Sequence, residues 1–355
     1  MRLILNKLSD TFLVDTNGLV GINLRVEKLK SHLAMESNDV RIIGIWGTGG
    51  MGKTTLARVV YGMISNQFEA CCFIANVKEV FEKCGLLWLQ QTLLNELLMH
   101  NDMNIQGVDC GVLIKNRLRH KKIFLILDDV NELDQLNKLV GGHDWFGPGS
   151  RIIKTTRDVH LLTTRKVDGI YEIEGLNYDE AFQLFNLKAF GKEHPTKDYL
   201  ELSQAFVHYA SGLPLAIEVL GSFLFKRRTD EWQSALDRLQ KFPERKILNV
   251  LQISYDRLQE TEKEIFLDIA CFFNHMSQDS IKEIVDHLEL LPKIELRVLI
   301  EKSLIKFHGK QLWMHDLLQQ MGRDIVRHEC SKDPGKRSRL WVYKDIDDVL
   351  TKNMV

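Results

Sequence analysis

Short apolar runs alternate with helical patterns through the first half of the chain, up to about Gly175. The runs that we assign to strands are 42–46, 71–75, 123–127, 151–155 and 170–173. Runs of about five apolar residues, separated by helices, are typical of parallel strands that are covered on both faces. The pattern therefore predicts an α/β domain built on a parallel sheet of these five strands.

Beyond Gly175 the apolar residues recur at helical spacing, and strands become scarce. The segments with this pattern are 176–189, 202–210 and 214–225. Pro243 is a plausible boundary, and the elements predicted after it are helices at 247–258, 262–273 and 293–301, a hairpin of 304–307 with 311–314, and a last helix from Asp316 towards Arg327. Helices followed by a hairpin and a further helix indicate a winged-helix unit.

The composition is that of an ordinary globular protein, with 355 residues of which 45% are hydrophobic and 27% charged. Lys and Arg total 47 against 48 Asp and Glu. This balance argues against a protein that binds mainly by neutralising phosphate backbones. Six cysteines without a C-x-x-C pair argue against a disulfide scaffold or a zinc site. No apolar stretch reaches the ~20 residues of a membrane span, so we expect a soluble protein without a membrane partner.

The strongest chemical signal is the glycine-rich segment 47–55, which we call the phosphate loop. Its residues, Gly47-Thr48-Gly49-Gly50-Met51-Gly52-Lys53-Thr54-Thr55, fit the pattern G-x-x-x-x-G-K-[ST] between a predicted strand and a predicted helix. Glycines let successive backbone N–H groups face one anion, and the helix N-terminus adds partial positive charge. Lys53 can reach the β- and γ-phosphates of a nucleotide, and the Thr54 hydroxyl can hold Mg²⁺. The alternative is a glycine-rich turn without a ligand.

Charged residues follow two later predicted strands, 123–127 and 151–155. Asp128 and Asp129 follow the run 123–127, and a carboxylate at the C-terminal end of a buried strand faces the ligand crevice. We expect Asp128 to hold Mg²⁺ directly or through water and Asp129 to polarise an attacking water, with helix capping as the alternative. Arg157 ends the following strand and can report on a γ-phosphate, because its planar fork matches phosphate geometry. The alternative for Arg157 is a surface pair with Asp158.

The motifs of this sequence, taken in their order along the chain, strongly resemble the NB-ARC module of plant intracellular nucleotide-binding leucine-rich-repeat immune receptors. The resemblance covers nearly the whole chain. The matching segments are the phosphate loop at 44–55, the second kinase motif at 124–130 (FLILDDV), the sensor strand at 149–158 (GSRIIKTTRD), a helical motif at 171–190, an adenine-side motif at 212–215, and winged-helix signatures at 266–273 (FLDIACFF) and 314–316. Asn131 and FLDIACFF are similar to the subclass that carries a Toll/interleukin-1-receptor domain.

The resemblance implies an α/β P-loop NTPase, with a parallel sheet flanked by helices, followed by a helical domain and a winged-helix domain. The expected boundaries are a linker at 1–20, the nucleotide-binding domain at 21–175, the helical domain at 176–243, the winged-helix domain at 244–330 and an extension toward leucine-rich repeats at 331–355. Since the chain starts at Met1 and stops at Val355, we expect it to be a fragment or a truncated gene product that lacks the Toll-type and leucine-rich-repeat domains.

The resemblance also implies a molecular switch, bound to ADP and closed at rest, then bound to ATP, open and assembled with itself or with a partner receptor. Pro214 would pack on adenine, the backbone of Val20 would touch it, and His315 would hydrogen-bond the β-phosphate of ADP. Without the resemblance, a proline in the first helical turn and a histidine cap are the simpler interpretations. We expect Mg²⁺ as cofactor, at most slow ATP hydrolysis, and a cytoplasmic location, with the nucleus as a further compartment.

Two other functions are alternatives to the switch. A P-loop ATPase with steady turnover would employ Asp128, Asp129 and Arg157. A winged-helix regulator would bind DNA through the basic cluster of Lys332, Lys336, Arg337 and Arg339, although the nearly neutral chain makes nucleic acid a disfavoured partner.

Lys154 departs from the family pattern, because it stands in a predicted strand where an aliphatic residue is usual. Burying an amine is costly unless its stem reaches the sheet edge. We predict that Lys154→Ile raises the melting temperature.

Overall fold

The computed structural model of the chain describes residues 18–98, 110–164, 166–191, 196–241, 244–277, 280–281 and 292–351. The chain divides into two compact units. The first contains the residues up to Gly47 together with Gly52–Glu174, and the second contains Thr48–Met51 together with the residues from Gly175 onward. The phosphate loop is therefore shared, because its four central residues belong to the second unit.

A five-stranded parallel sheet forms the centre of the first unit, as the apolar runs predicted. The strands are β1 (Arg41–Trp46), β2 (Ala70–Ile74), β3 (Ile123–Leu127), β4 (Arg151–Thr156) and β5 (Gly169–Glu172). Their order across the sheet is β2-β3-β4-β1-β5. Strand β4 thus lies between β1 and β3, and this order decides which side chains meet at the carboxyl ends of the strands.

Helices cover the sheet of the first unit. They are α1 (Ile22–Leu33), α2 (Lys53–Ile64), α3 (Val77–Leu98), α4 (Cys110–Leu118), α5 (Leu133–Leu139) and α6 (His160–Thr163). Helix α3 is interrupted at Gly85, whose φ of 78° is not helical. Beyond this break Leu89, Leu93 and Leu97 pack into one hydrophobic cluster with buried residues of the sheet.

Two aromatic rings stack on Phe124 of the interior strand β3. The ring centroids of Tyr61 and Phe68 lie 5.5 Å and 5.1 Å from that of Phe124. All five residues of β3 are inaccessible to solvent, because the sheet is covered on both faces. A continuous apolar run is the sequence pattern that such burial requires.

Lys154 lies in the middle of the sheet. Its register neighbours are Gly44 in β1 and Leu127 in β3, and the residue is only 2% exposed. The low exposure within this interior strand argues against the alternative in which the stem reaches solvent at the sheet edge. The effect of Lys154→Ile on the melting temperature stays a prediction. We expect a rise of a few degrees, measured by calorimetry, because a buried amine is costly, whereas isoleucine matches the apolar strands around this position.

The second unit is mainly helical. Its helices are α7 (Tyr178–Phe190), α8 (Lys197–Ala210), α9 (Pro214–Leu224), α10 (Thr229–Lys241), α11 (Arg245–Tyr255), α12 (Glu260–Asp268), α13 (Pro292–Glu301), α14 (Asp316–Glu329) and α15 (Tyr343–Thr351). Trp232 of α10 is fully buried, with its ring centroid 4.9 Å from that of Tyr199 and 5.7 Å from that of Phe185. This aromatic cluster joins α7, α8 and α10.

The winged-helix elements follow the predicted order. The hairpin pairs β6 (Lys306–His308) with β7 (Gln311–Trp313) in antiparallel register. Gly309 adopts a left-handed φ of 61° at the turn. The helix predicted at 262–273 differs in detail, because α12 ends at Asp268 and a π-helical turn continues from Ile269 to Phe273. Over the described ranges, the structure contains no helix with the length and apolar character that crossing a membrane requires.

Candidate functional site

The phosphate loop joins β1 to α2 through left-handed glycines. Gly50 and Gly52 have φ values of 83° and 87°, which favour glycine. Gly52 caps the twelve-residue helix α2, and a Cβ added there would meet nothing within 4 Å. Gly49 is buried, whereas Met51 and Thr55 are half-buried. Open space therefore borders the positive end of a helix, which is a favourable place for an anion.

Lys53 is buried beside the start of the loop. Its side chain is 7% exposed, and Nζ donates to the carbonyl oxygen of Gly47 at 2.6 Å. Burial, and after it the positive charge of Arg157, lower the pKa of Lys53 to about 7, against the opposing effect of Asp129 and Asp128. A phosphate near this amine would favour the charged form.

Asp128 is hydrogen-bonded to hydroxyl groups from two other segments of the first unit. Its carboxylate is fully buried and accepts hydrogen bonds from Thr54 Oγ1 at 2.9 Å and from Thr155 Oγ1 at 2.6 Å. The predicted pair of Thr54 and Asp128 is therefore brought together. Thr155 was not assigned this role from the sequence, because only the strand order places the end of β4 next to Asp128.

Asp129 and Arg157 lie against each other. Asp129 has a left-handed φ of 56°, and its backbone N–H donates to Thr155 Oγ1 at 2.9 Å. The Nε atom of Arg157 lies 3.7 Å from Asp129 Oδ1. The two residues proposed to act on water and on a γ-phosphate are therefore neighbours, beside Asp128.

The start of α1 holds the segment that was assigned to adenine. Val20 is half-buried and precedes the helix cap Gly21, whose φ is 70°. Arg25 Nη1 donates to the carbonyl oxygen of Gly21 at 2.7 Å. This hydrogen bond fixes the backbone next to Val20.

In the second unit, the central loop residues pack on the start of α9. Pro214 is the first residue of that helix and is half-buried. The backbone N–H of Leu215 donates to the carbonyl oxygen of Gly50 at 3.2 Å. A Cβ on Gly50 would lie 2.9 Å from Cβ of Leu215, so glycine is required there by close approach as well as by φ.

His315 caps helix α14, which confirms the simpler of its two interpretations. Its Nδ1 accepts from the N–H of Leu317 at 3.2 Å, so the proton is assigned to Nε2, which lies 3.1 Å from the carbonyl oxygen of Ser211. Burial lowers the pKa of His315. Ser211 also donates from Oγ to Asp316 Oδ2 at 2.9 Å. Ser211 was missed in the sequence, although it directly precedes the segment 212–215.

Three of the four residues of the basic cluster near the end of the chain are paired with carboxylates. Arg339 is 8% exposed and bonds to Asp268 and Glu264, while Arg337 bonds to Asp345. Lys336 Nζ lies 3.3 Å from Asp333 Oδ2. These contacts neutralise three of the four charges that a DNA-binding function would use.

The oxygen atoms at Thr54 and Asp128 suit a magnesium ion. A hydroxyl and a carboxylate are hard ligands, and Mg²⁺ commonly takes one or two protein carboxylates and completes its shell with water and nucleotide phosphates. Thr54 Oγ1 lies 2.9 Å and 3.0 Å from the two carboxylate oxygens of Asp128. Thr54 belongs to the first turn of α2, and the carboxylate of Asp128, at the end of β3, lies beside it, so the residues fit such an ion.

Comparison with known proteins identifies two matching families. Residues 22–195 match the family described as NB-ARC domain, and residues 259–330 match the winged-helix domain of Roq1-like disease resistance proteins.

Two curated relatives are similar along most of this chain. The disease resistance protein RUN1 of Vitis rotundifolia is 44% identical over 94% of this chain and 25% of its own length. The TMV resistance protein N of Nicotiana glutinosa is 43% identical over 98% of this chain and 31% of its own length. The chain thus spans between a quarter and a third of the length of these relatives.

Among solved structures, the Walker-type ATPase paby2304 of Pyrococcus abyssi has a TM-score of 0.54 at 14% identity, covering 84% of this chain and 94% of that one. This likeness supports the P-loop ATPase fold.

Proposed function

Because this chain belongs to the NB-ARC family found in plant disease resistance proteins, we propose that it is the adenine-nucleotide switch of an intracellular immune receptor. In this proposal the protein holds ADP and is closed at rest. Exchange for ATP opens it and allows it to assemble with itself or with a partner receptor, which starts the defence signal.

One observation carries the proposal, namely the group formed by Lys53, Thr54 and Asp128 at the N-terminus of α2. A buried amine, a hydroxyl and a buried carboxylate stand together where the helix end favours an anion. Such a group has little use in a purely structural turn, since burying these polar side chains costs free energy. It is the set of groups that binds the phosphates and Mg²⁺ of a nucleoside polyphosphate.

We propose that Val20, Pro214 and His315 recognise the rest of the nucleotide. Val20 and Pro214 would contact adenine. The single N–H of His315 is directed at Ser211, so a bond from Nε2 to the β-phosphate would replace or share that hydrogen bond. The domain boundaries at residues 175, 243 and 330 are part of the same proposal.

A γ-phosphate would act on the pair of Asp129 and Arg157. Its negative charge would attract Arg157 away from Asp129, whose carboxylate it would also repel. Moving a two-state equilibrium from mostly closed to mostly open requires about 5.5 kcal/mol of differential affinity. We propose that the gain at Arg157 and the loss of contacts around His315 together supply it.

The nucleotide that copurifies with the protein tests the proposal directly. Denaturation followed by chromatography should release ADP at close to one equivalent from the wild type. Lys53→Arg should release almost none, since the larger guanidinium does not fit the buried position of the amine. Lys83→Arg, the same exchange at an exposed lysine of α3, should retain ADP. Full ADP occupancy in Lys53→Arg would show that the phosphate loop is assigned wrongly.

A steady-turnover ATPase is the second candidate, and the proximity of Asp128, Asp129 and Arg157 favours it. The two functions differ in rate. A switch should hydrolyse ATP far more slowly than the ~1 per second at which slow enzymes operate, whereas sustained turnover near that rate would support the enzyme.

A further inference from the structure

We infer that the hydroxyl of Thr48 fastens the phosphate loop to the turn at Ser303 and thereby slows the release of bound ADP. The inference rests on the proposed function and names a positioning residue within it. Thr48 occupies a variable position of the G-x-x-x-x-G-K-[ST] pattern, so phosphate binding by the backbone does not dictate its side chain.

The contact is a hydrogen bond of ordinary length within the second unit. Thr48 Oγ1 donates to the carbonyl oxygen of Ser303 at 2.8 Å, and both residues are half-buried. A partly buried hydrogen bond is less weakened by competing water than an exposed one.

The turn at Ser303 is built to present that carbonyl. Ser303 has a left-handed φ of 58°, and its N–H donates to the carbonyl oxygen of Ile300 at 2.9 Å, which closes the end of α13. The next residue, Leu304, is 1% exposed and donates its N–H to the carbonyl oxygen of Leu299 at 2.9 Å. The acceptor is therefore held by the backbone on both sides.

A second contact holds the same four loop residues. The carbonyl oxygen of Gly50 accepts from Leu215, and the two residues pack without room for a side chain at position 50. The segment Thr48–Met51 is thus fixed at two points, Thr48 and Gly50. Because the loop's N–H groups are the ones that would surround a phosphate, fixing the segment fixes their directions.

Loss of the Thr48–Ser303 hydrogen bond should change the rate of ADP release but should not abolish ADP binding. Release through a fastened loop requires the Thr48–Ser303 hydrogen bond to open. A typical hydrogen bond contributes about 1 kcal/mol net, so its loss should accelerate release about fivefold. The glycines, Lys53 and Thr54 are unchanged by a substitution at Thr48, so ADP should still bind.

Four variants test the inference, with the release of radiolabelled ADP into excess unlabelled ADP as the measurement. Thr48→Val keeps the branched shape without the hydroxyl, and Thr48→Ala removes the hydroxyl without added bulk. Both should release ADP about fivefold faster than the wild type. Thr48→Ser restores the donor and should return the rate to that of the wild type. Ser303→Ala keeps the backbone acceptor and should also release ADP at the wild-type rate.

The outcomes separate this inference from the proposed function. If the wild type holds ADP and both Thr48→Val and Thr48→Ala release it at the same rate, the hydroxyl has no such role and only the inference fails. If Thr48→Ser accelerates release as much as Thr48→Val, shape rather than the hydroxyl is responsible, and the inference fails again. If the wild type binds no adenine nucleotide, the proposed function itself is wrong.

Discussion

Burial of the Lys53 amine couples nucleotide binding to pH. Its pKa is about 7 because the side chain lies away from water and near Arg157. At pH 8 most of these amines are therefore neutral in the free protein, while a bound diphosphate would stabilise the charged form. We predict that ADP binding at pH 8 takes up close to one proton and that the affinity falls as the pH rises above about 7.

Calorimetry in buffers with different ionisation enthalpies measures this uptake. The phosphate groups of ADP do not supply the signal at pH 8, because their second pKa is near 6. Binding at pH 8 without proton uptake would mean that the amine is already charged in the free protein and that burial does not control it.

Thr155 positions the carboxylate of Asp128. Its hydroxyl donates to Asp128 and accepts from the N–H of Asp129, so Thr155→Val loses both bonds. We predict that this variant binds ADP about tenfold more weakly in the presence of Mg²⁺ and nearly normally in EDTA, the size of loss typical when the partner of a metal-binding carboxylate is removed.

Two neighbouring substitutions serve as controls for Thr155→Val. Thr155→Ser should restore the affinity, because it keeps the hydroxyl. Thr156→Val removes a hydroxyl that bonds to the Val130 carbonyl oxygen, so it should leave the Mg²⁺ dependence intact. Equal losses with and without Mg²⁺ in Thr155→Val would contradict the role given to Asp128.

At the scale of single residues, the sequence predicted the chemistry better than the supporting contacts. Lys53, Thr54 and Asp128 were found because a linear pattern and a strand end define them. Thr155 and Ser211 were not, because their roles depend on the order of strands and on the proximity of two helix ends. Both are short-range geometric facts that sequence spacing does not contain.

Helix α14 depends on His315 for its N-terminal cap as well as for the bond to Ser211. Asparagine is a good N-cap but lacks a group at the position of Nε2. We predict that His315→Asn keeps the melting temperature of the wild type but releases ADP faster. His315→Ala should lose both the helix cap and the bond to Ser211. The loss of the cap should cost about 1 kcal/mol in the free energy of unfolding.

The same histidine makes the second unit sensitive to acid. Its pKa is lowered by burial, so the unfolded chain binds the proton more readily than the folded protein. The free energy of unfolding should therefore decrease as the pH falls below about 6.5, and His315→Asn should reduce this decrease. Chemical denaturation at pH 5.5 and 7.5 measures it, and an unchanged pH dependence in His315→Asn would exclude His315 as the cause.

At the scale of elements, apolar runs and helical periodicity were sufficient for all five strands and for the order of the winged-helix elements. The ends of elements were harder to predict. The π-helical turn at Ile269–Phe273 continues an apolar helical pattern, and only the backbone shows where α12 ends. The aromatic cluster around Trp232 combines helices that are separate in sequence, so periodicity could identify each helix but not their partners.

At the scale of the whole molecule, the division of the phosphate loop between two units is the least predictable feature. The boundary near Gly175 coincides with the change from strand to helix patterns. However, Thr48–Met51 lies far from the rest of the second unit in sequence, and its contacts there include those with Leu215 and Ser303. A ligand held by this loop should therefore influence the residues of the second unit that contact Thr48–Met51.

The backbone amide of Leu215 can report this influence. It stands in the first turn of α9, where N–H groups have no partner within the helix, and its acceptor is the carbonyl oxygen of Gly50. We predict that saturating ADP slows hydrogen exchange at Leu215 several-fold, because a bound diphosphate holds the loop in place. At a concentration of 100 times Kd, binding stabilises the protein by about 2.7 kcal/mol, so the slowing could reach about a hundredfold only if the opening of this amide required complete release of ADP.

Ile217 provides the internal control, since its N–H bonds to the carbonyl oxygen of Leu213 within the same segment. Its exchange should slow less than that of Leu215, and Lys53→Arg should abolish both effects. Slowing confined to amides of the first unit would contradict the coupling, because the loop would then hold the nucleotide without engaging α9. Equal slowing at Leu215 and Ile217 would instead point to a general stabilisation of α9, in which the Gly50 contact has no special part.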